Sequence, residues 1–246
     1  MTVLSTVLVL AAMTTQEAVV TLLNAPNATS PKRYREAREL LLREAAEGKP
    51  LQQFVVGVTA QDERQAKGYL DASREKIRLL AEKKGNPLAW YLLSMEANDL
   101  KLLRKAADGG NVQALNAYGT ILVQVAAESA AATTNAQQAA VRRGYECFRK
   151  AAAKGDLNGF VNLGTCYLRG LGCPPDPVLA HECFKSAARA GHPEAMDYVA
   201  ANYQLGHGVK KDPELSLLWH MKAKAVRGDE AAAEWLRTGR WGATER

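Results

Sequence analysis

A short alanine-rich phrase recurs along this chain of 246 residues, and each copy ends in glycine: EAAEG at 44–48, KAADGG at 105–110, KAAAKG at 150–155, SAARAG at 186–191 and, in decayed form, KAVRG at 224–228. Self-similarity at a period of a few tens of residues constrains a fold more than any local propensity, because a unit of that size cannot bury its own apolar face and must stack on a neighbour. With the glycine of AEKKG added, the anchors are Gly48, Gly85, Gly110, Gly155, Gly191 and Gly228, spaced by 37, 25, 45, 36 and 37 residues. Three of these intervals agree within one residue. The other two read as one trimmed and one expanded unit.

A second column fixes the register. Nine residues beyond the first five anchors stand Gly57, Ser94, Gly119, Gly164 and Ala200, all small. Two helices of a hairpin approach closely only where side chains are small, so this column is expected at helix crossings. Helix boundaries fall in the same frame. Asn86, Asn111, Asp156 and Asp229 follow anchors as N-cap residues, and Pro50, Pro87 and Pro193 take the first helical position. His192 occupies the same capping column. Within the two best units, Asp176-Pro177 and Asp212-Pro213 mark a second helix start, so Asp176 and Asp212 are read as caps and not as catalytic carboxylates.

One unit is therefore helix A, a glycine-bearing turn, helix B and a terminating glycine. In the clearest unit helix A spans about 157–169, the turn 170–176 and helix B about 177–189, and the next unit turns at 206–212. Strand signals are scarce, and only 53–59 is locally ambiguous. Further helices are expected near 15–23 and 32–47, with a loop between them. The alanine-rich stretch 128–140 reads as a flexible insertion. At the C-terminus, 229–238 reads as a lone helix A that caps the array, with Ala232 and Ala233 packed, Trp235 and Leu236 covering the last helix B, and Glu230, Glu234 and Arg237 in water.

The stretches NLGTCYLRGLGCPPDPVLAHECFKSAARAG (162–191) and AMDYVAANYQLGHGVKKDPELSLLWHMKAKAVRG (195–228) resemble the Sel1-like repeat family, a relative of the tetratricopeptide repeats. The Gly85 unit departs from the family pattern by lacking the GxG turn, and the Gly110 unit carries the alanine-rich insertion in its place. The resemblance implies an all-α fold, a right-handed α-solenoid of stacked antiparallel helix pairs, covering about 32–240. It leaves 1–31 as an apolar segment and loop, and 241–246 as a tail. It also implies a non-catalytic adaptor that holds a protein or peptide on the concave face lined by helix A. By that geometry the exposed face includes Gln113, Asn116, Thr120, Gln124, Asn158, Thr165, Arg169, Glu194, Asp197 and Gln204. Some cysteine-rich bacterial relatives carry regular disulfides and bind cell-wall-like ligands. A secreted or periplasmic cell-wall-ligand protein or hydrolase is therefore the alternative.

Other function classes find little support. Hydrophobic residues make up 47% of the chain and charged residues 24%, enough for a full core and an ordinary solvated surface. The net charge of +6 is spread along the chain and interleaved with acids, and aromatic residues are only 7%. Nucleic-acid binding would need a clustered basic stripe with stacking aromatics. The glycine pairs 170/172 and 206/208 follow helices and not strands, which argues for structural turns over phosphate loops. His181, His192, His207 and His220 lack metal-ligand spacing, and no cofactor is implied. Tyr167, Tyr203, Phe148, Phe184 and Trp219 recur at repeat spacing and are assigned to the core.

Cys147, Cys166, Cys173 and Cys183 show no CxxC pair. They are read as buried thiols, with a disulfide as the alternative, for which Cys147 and Cys166 on neighbouring helices are the easiest pair. The apolar run 3–13 is too short to span a membrane. It is compatible with a secretory signal or a capping helix, so envelope and cytoplasmic locations both stay open.

Overall fold

The computed structural model describes residues 15–23, 31–60, 62–128 and 134–238. The apolar run 3–13, the tail 241–246 and most of the loop between the first two helices lie outside them. Among the described residues there are thirteen α-helices and no strand. The chain divides into two compact units, 1–75 and 76–246.

The first unit holds α1 (Thr15–Leu23), α2 (Pro31–Ala46) and α3 (Pro50–Thr59), and α4 (Glu63–Lys84) begins in it. α2 packs against both α1 and α3, and α1 also touches α3. Their core is Ala18, Leu22, Ala37, Leu41, Ala45, Phe54 and Val55, all essentially without solvent access. The ambiguous stretch 53–59 is helical. Its β-branched residues are overruled by Pro50 at the first helical position and by burial of Phe54, Val55 and Val56. Gly57 lies at a crossing as expected: a Cβ there would meet the side chain of Leu70 on α4 at 2.8 Å.

The second unit is a run of hairpins: α5 (Pro87–Ala97) with α6 (Leu100–Asp108), α7 (Val112–Glu128) with α8 (Asn135–Ala153), α9 (Leu157–Arg169) with α10 (Pro177–Arg189), and α11 (Pro193–Leu205) with α12 (Pro213–Val226). α13 (Glu230–Arg237) closes the run. Each helix packs on the next, and α7 also reaches α9, the first helix of the following hairpin. This is the stacking of an α-solenoid.

Small residues set how closely the hairpins close. A Cβ on Gly119 would meet Phe148 at 2.8 Å, and one on Gly164 would meet Phe184 at 2.7 Å. The two pairs are repeat-equivalent. Ala200, in the same column, is buried in the core that also holds Phe184, Met196, Val199, Tyr203 and Trp219. The turns repeat as closely. The N–H of Asp176 donates to the carbonyl of Tyr167, and the N–H of Asp212 to that of Tyr203, both at 2.9 Å. Each aspartate then accepts from two N–H groups of the following helix at 2.9–3.0 Å, the capping role expected of it. Gly172 and Gly208, the second glycines of the two GxG turns, have φ of 77° and 70° and press against the preceding helix B. A Cβ on Gly208 would overlap the carbonyl of Pro177, so glycine is required there by both conformation and space.

Two expectations are corrected. The stretch 134–140 is not part of a flexible insertion. Thr134 caps α8 with a reciprocal capping box to Gln137, and α8 begins at Asn135. Ala233 is exposed, because the inward stripe of α13 runs through Ala232, Trp235 and Leu236 at helical spacing and passes it by. Glu230, Glu234 and Arg237 face water as expected.

Candidate interaction face

Helices α7, α9 and α11 are the first helices of successive hairpins, and they carry the ten residues expected on the binding face. Their N-terminal halves are occupied by internal bonds. The side-chain amide of Asn116 on α7 donates to Asp156, the cap of α9, at 2.6 Å, and its carbonyl oxygen accepts from Asn162 of α9 at 3.4 Å. Asp156 in turn accepts from the N–H of Gly159 at 2.7 Å. One unit later, Asn158 on α9 bonds the Nε2 of His192, the cap of α11, at 3.1 Å. One unit later again, Asp197 on α11 pairs with Arg227 at the end of α12 and lies 3.6 Å from Nδ1 of His220. Asn116 and Asn158 thus reach the cap of the first helix in the following unit, whereas Asp197 is held by the second helix of its own hairpin.

The ten residues therefore fall into three groups. Gln113 is buried, against the expectation that it would be exposed. α7 is packed by α6, α8 and α9 together, which covers its first turn. Asn116, Thr120, Asn158, Thr165 and Asp197 are half-buried. Thr165 returns its hydroxyl proton to the carbonyl of Val161 in its own helix. Gln124, Arg169, Glu194 and Gln204 are exposed. Three of these four cluster at the C-terminal ends of their helices. Gln124 and Arg169 stand fourteen residues beyond their anchors, as does the exposed Leu205 beside Gln204.

A second concavity was not anticipated. An open cleft of about 540 Å³ lies where the α5–α6 turn meets α7, lined by Asn98, Asp99, Leu100, Lys101, Arg104 and Tyr118 among others. The trimmed unit creates it. Asn98 adopts the left-handed conformation (φ 50°) and ends α5, and Asp99 immediately caps α6. Two residues thus do the work of the seven-residue turns found in later units. The Asn-Asp pair was the available sequence signal, since asparagine is the residue after glycine most tolerant of that conformation.

The four cysteines, Tyr167 and two buried histidines are held toward their neutral forms. Burial pushes the thiol of Cys166 up to about 12 and that of Cys183 up to about 11, and it raises Cys147 and Cys173 as well. All four cysteines are free thiols. Held protonated, they are poor nucleophiles and poor metal ligands. Cys166, Cys173 and Cys183 pack in one apolar cluster with Phe148 and Leu163. Tyr167 is raised by its hydrogen bond with Tyr145 (3.2 Å) and then by burial. His181 and His192 are lowered, chiefly by burial. Among the described residues no group of three or more His, Cys, Asp or Glu side chains is placed to hold a metal ion. No described helix is long and apolar enough to cross a membrane.

The Sel1 repeat family model matches residues 100–111, 141–156, 161–192 and 193–225, which run from α6 to α12. Among solved structures the chain is similar to a Sel1 repeat protein from Oxalobacter formigenes, at 28% identity over 52% of this chain and 90% of that one, with a TM-score of 0.44. It is also similar to a protective antigen of uropathogenic Escherichia coli strains that displays an SLR fold, at 17% identity over 95% of this chain and 66% of that one, with a TM-score of 0.40. No curated protein matches the sequence. Sel1-repeat proteins are generally non-catalytic scaffolds for protein–protein interaction, and this chain carries Sel1 repeats in the four matched segments between α6 and α12.

Proposed function

We propose that the chain is a non-catalytic adaptor that binds a protein or extended peptide along the exposed C-terminal ends of α7, α9 and α11. The observation that supports this most is the division within each first helix. The first two turns are engaged internally, Asn116 and Asn158 with the next unit and Asp197 with Arg227 of its own hairpin, whereas Gln124, Arg169, Gln204 and Leu205 lie near the helix ends and reach solvent. Amides and a guanidinium near the ends of successive first helices suit the backbone of an extended segment, which offers donors and acceptors at regular intervals. Exposed Val125 and Leu205 at the same level add apolar contact. On this reading Asn116, Thr120, Asn158, Thr165 and Asp197 hold the register of the face, and Glu194 belongs to its edge.

The test is affinity capture with the intact protein and with Arg169→Glu combined with Gln204→Glu. Both positions are exposed, so folding is retained. A partner recovered by the parent and lost by the double variant supports the reading. Equal recovery by both would remove this face as the binding surface.

A further inference from the structure

His192 is the only histidine among the side chains that cap a helix directly after an anchor glycine; the others are Asn86, Asn111, Asp156 and Asp229. Its geometry dictates its protonation. Nδ1 accepts from the N–H of Ala195 at 3.3 Å, so that nitrogen carries no proton. Nε2 therefore bears the ring hydrogen and donates it to the side-chain oxygen of Asn158 on α9 at 3.1 Å. One imidazole both caps α11 and joins it to the preceding unit, and it is only 5% exposed.

The far end of α11 meets a second buried histidine. Nδ1 of His181, on α10, faces the amide nitrogen of Asn202 at 3.4 Å, and its ring makes an edge contact with Tyr203. The carbonyl of Asn202 accepts from Gly206 and His207 and so closes the last turn of α11.

We propose that His192 makes the N-terminal cap of α11 acid-sensitive, so that mild acid releases the first turn of the last complete repeat while its tether to α9 holds. Protonating Nδ1 places an N–H against the N–H of Ala195 and abolishes the cap. The bond to Asn158 survives, because Nε2 remains a donor, so α11 keeps its tether while its first turn frays. The charges near His192 are Glu194 on α11, Asp156 at the start of α9 and Arg227 at the end of α12. The two carboxylates favour the charged ring and Arg227 opposes it, but burial outweighs them and holds the histidine below its ordinary value. Near His181 stand Glu182 and Lys185 on its own helix and Tyr203 on α11, and burial again dominates. The unfolded chain therefore takes up these protons first as the pH falls. The contribution of neutral His192 is complete above about pH 6.5, the ordinary histidine value, and is lost below it.

The experiment is nitrogen-15 NMR of the intact protein and of His192→Asn between about pH 8 and about pH 5. Asparagine already serves in this column at Asn86 and Asn111, so the variant keeps a cap that does not titrate. In the parent, the His192 ring should carry its proton on Nε2 at the upper pH, and protection of the Ala195 amide should be lost on acidification. In His192→Asn that protection should hold constant. A proton on Nδ1 at the upper pH, an Ala195 amide unaffected by acid in the parent, or the same fall in both proteins would overturn the proposal. The ring measurement needs no variant.

Discussion

Gly164 offers the sharpest test of how the hairpins are packed, because two effects of known size oppose each other there. Replacing a mid-helix glycine with alanine gains about 1 kcal/mol from backbone entropy and propensity. At Gly164 the new methyl would lie 2.7 Å from Cε1 and 3.0 Å from two further ring carbons of Phe184. Carbon atoms rest at about 3.5–4.0 Å, so the ring would have to withdraw by about 1 Å. It has nowhere to go. Phe184 is fully buried and lies stacked on Tyr198, with centroids 4.4 Å apart and planes 12° apart. Overpacking of this kind costs about 1–3 kcal/mol. Gly164→Ala should therefore lose about 1 kcal/mol net, and Gly164→Leu about 3 kcal/mol. Gly68, inside α4, has no atom within 4 Å of the corresponding position, so Gly68→Ala should gain about 0.5–1 kcal/mol. Urea denaturation followed by helical circular dichroism measures both. A second arm places Gly164→Ala in a Phe184→Leu background, where its cost should shrink as the ring is removed. A Gly164→Ala protein as stable as the parent would refute the close crossing.

Three further outcomes follow from the same packing. Asp176→Ala and Asp212→Ala should each cost about 0.5–2 kcal/mol in chemical denaturation, and the asparagine variants much less, because both side chains accept two helix N–H groups. Asn116→Ala and Asp156→Ala should couple by about 1.5–3 kcal/mol in a double-mutant cycle, as befits a hydrogen bond to a charged group that spans two units. All four thiols should be titratable in denaturant, and in the native protein Cys166 should react slowest, since the residue is 1% exposed and its thiol is held up at about 12.

The later units were legible because each of their boundaries is written twice, once as a cap and once as a glycine. α9 and α10 begin and end where Asp156, Gly170 and Asp176-Pro177 place them. The earlier irregularities used quieter signals. The break between α5 and α6 rests on Asn98 in a left-handed conformation, a device without a glycine to announce it. The start of α8 was written as Thr134 with Gln137, a capping box hidden in an alanine-rich stretch that reads as filler. On the interaction face, polarity marked which residues lie on the first helices but could not show which are already engaged. Asn116 meets Asp156 across 40 residues, and Asn158 meets His192 across 34. Such partners are set by stacking and not by local pattern. The same limit applies to Gln113, whose burial depends on three neighbouring helices.

The most direct measurement of the adaptor reading is site-specific photo-crosslinking in cells that make the protein. A photoreactive side chain is placed in turn at Gln124, Arg169 and Gln204 on the first helices, and at the exposed Ser186 on α10 as the control. The account predicts the same covalently captured protein from the three first-helix positions and none of it from Ser186. Capture from Ser186 alone, or different species at each first-helix position, would contradict a single partner lying along the ends of α7, α9 and α11.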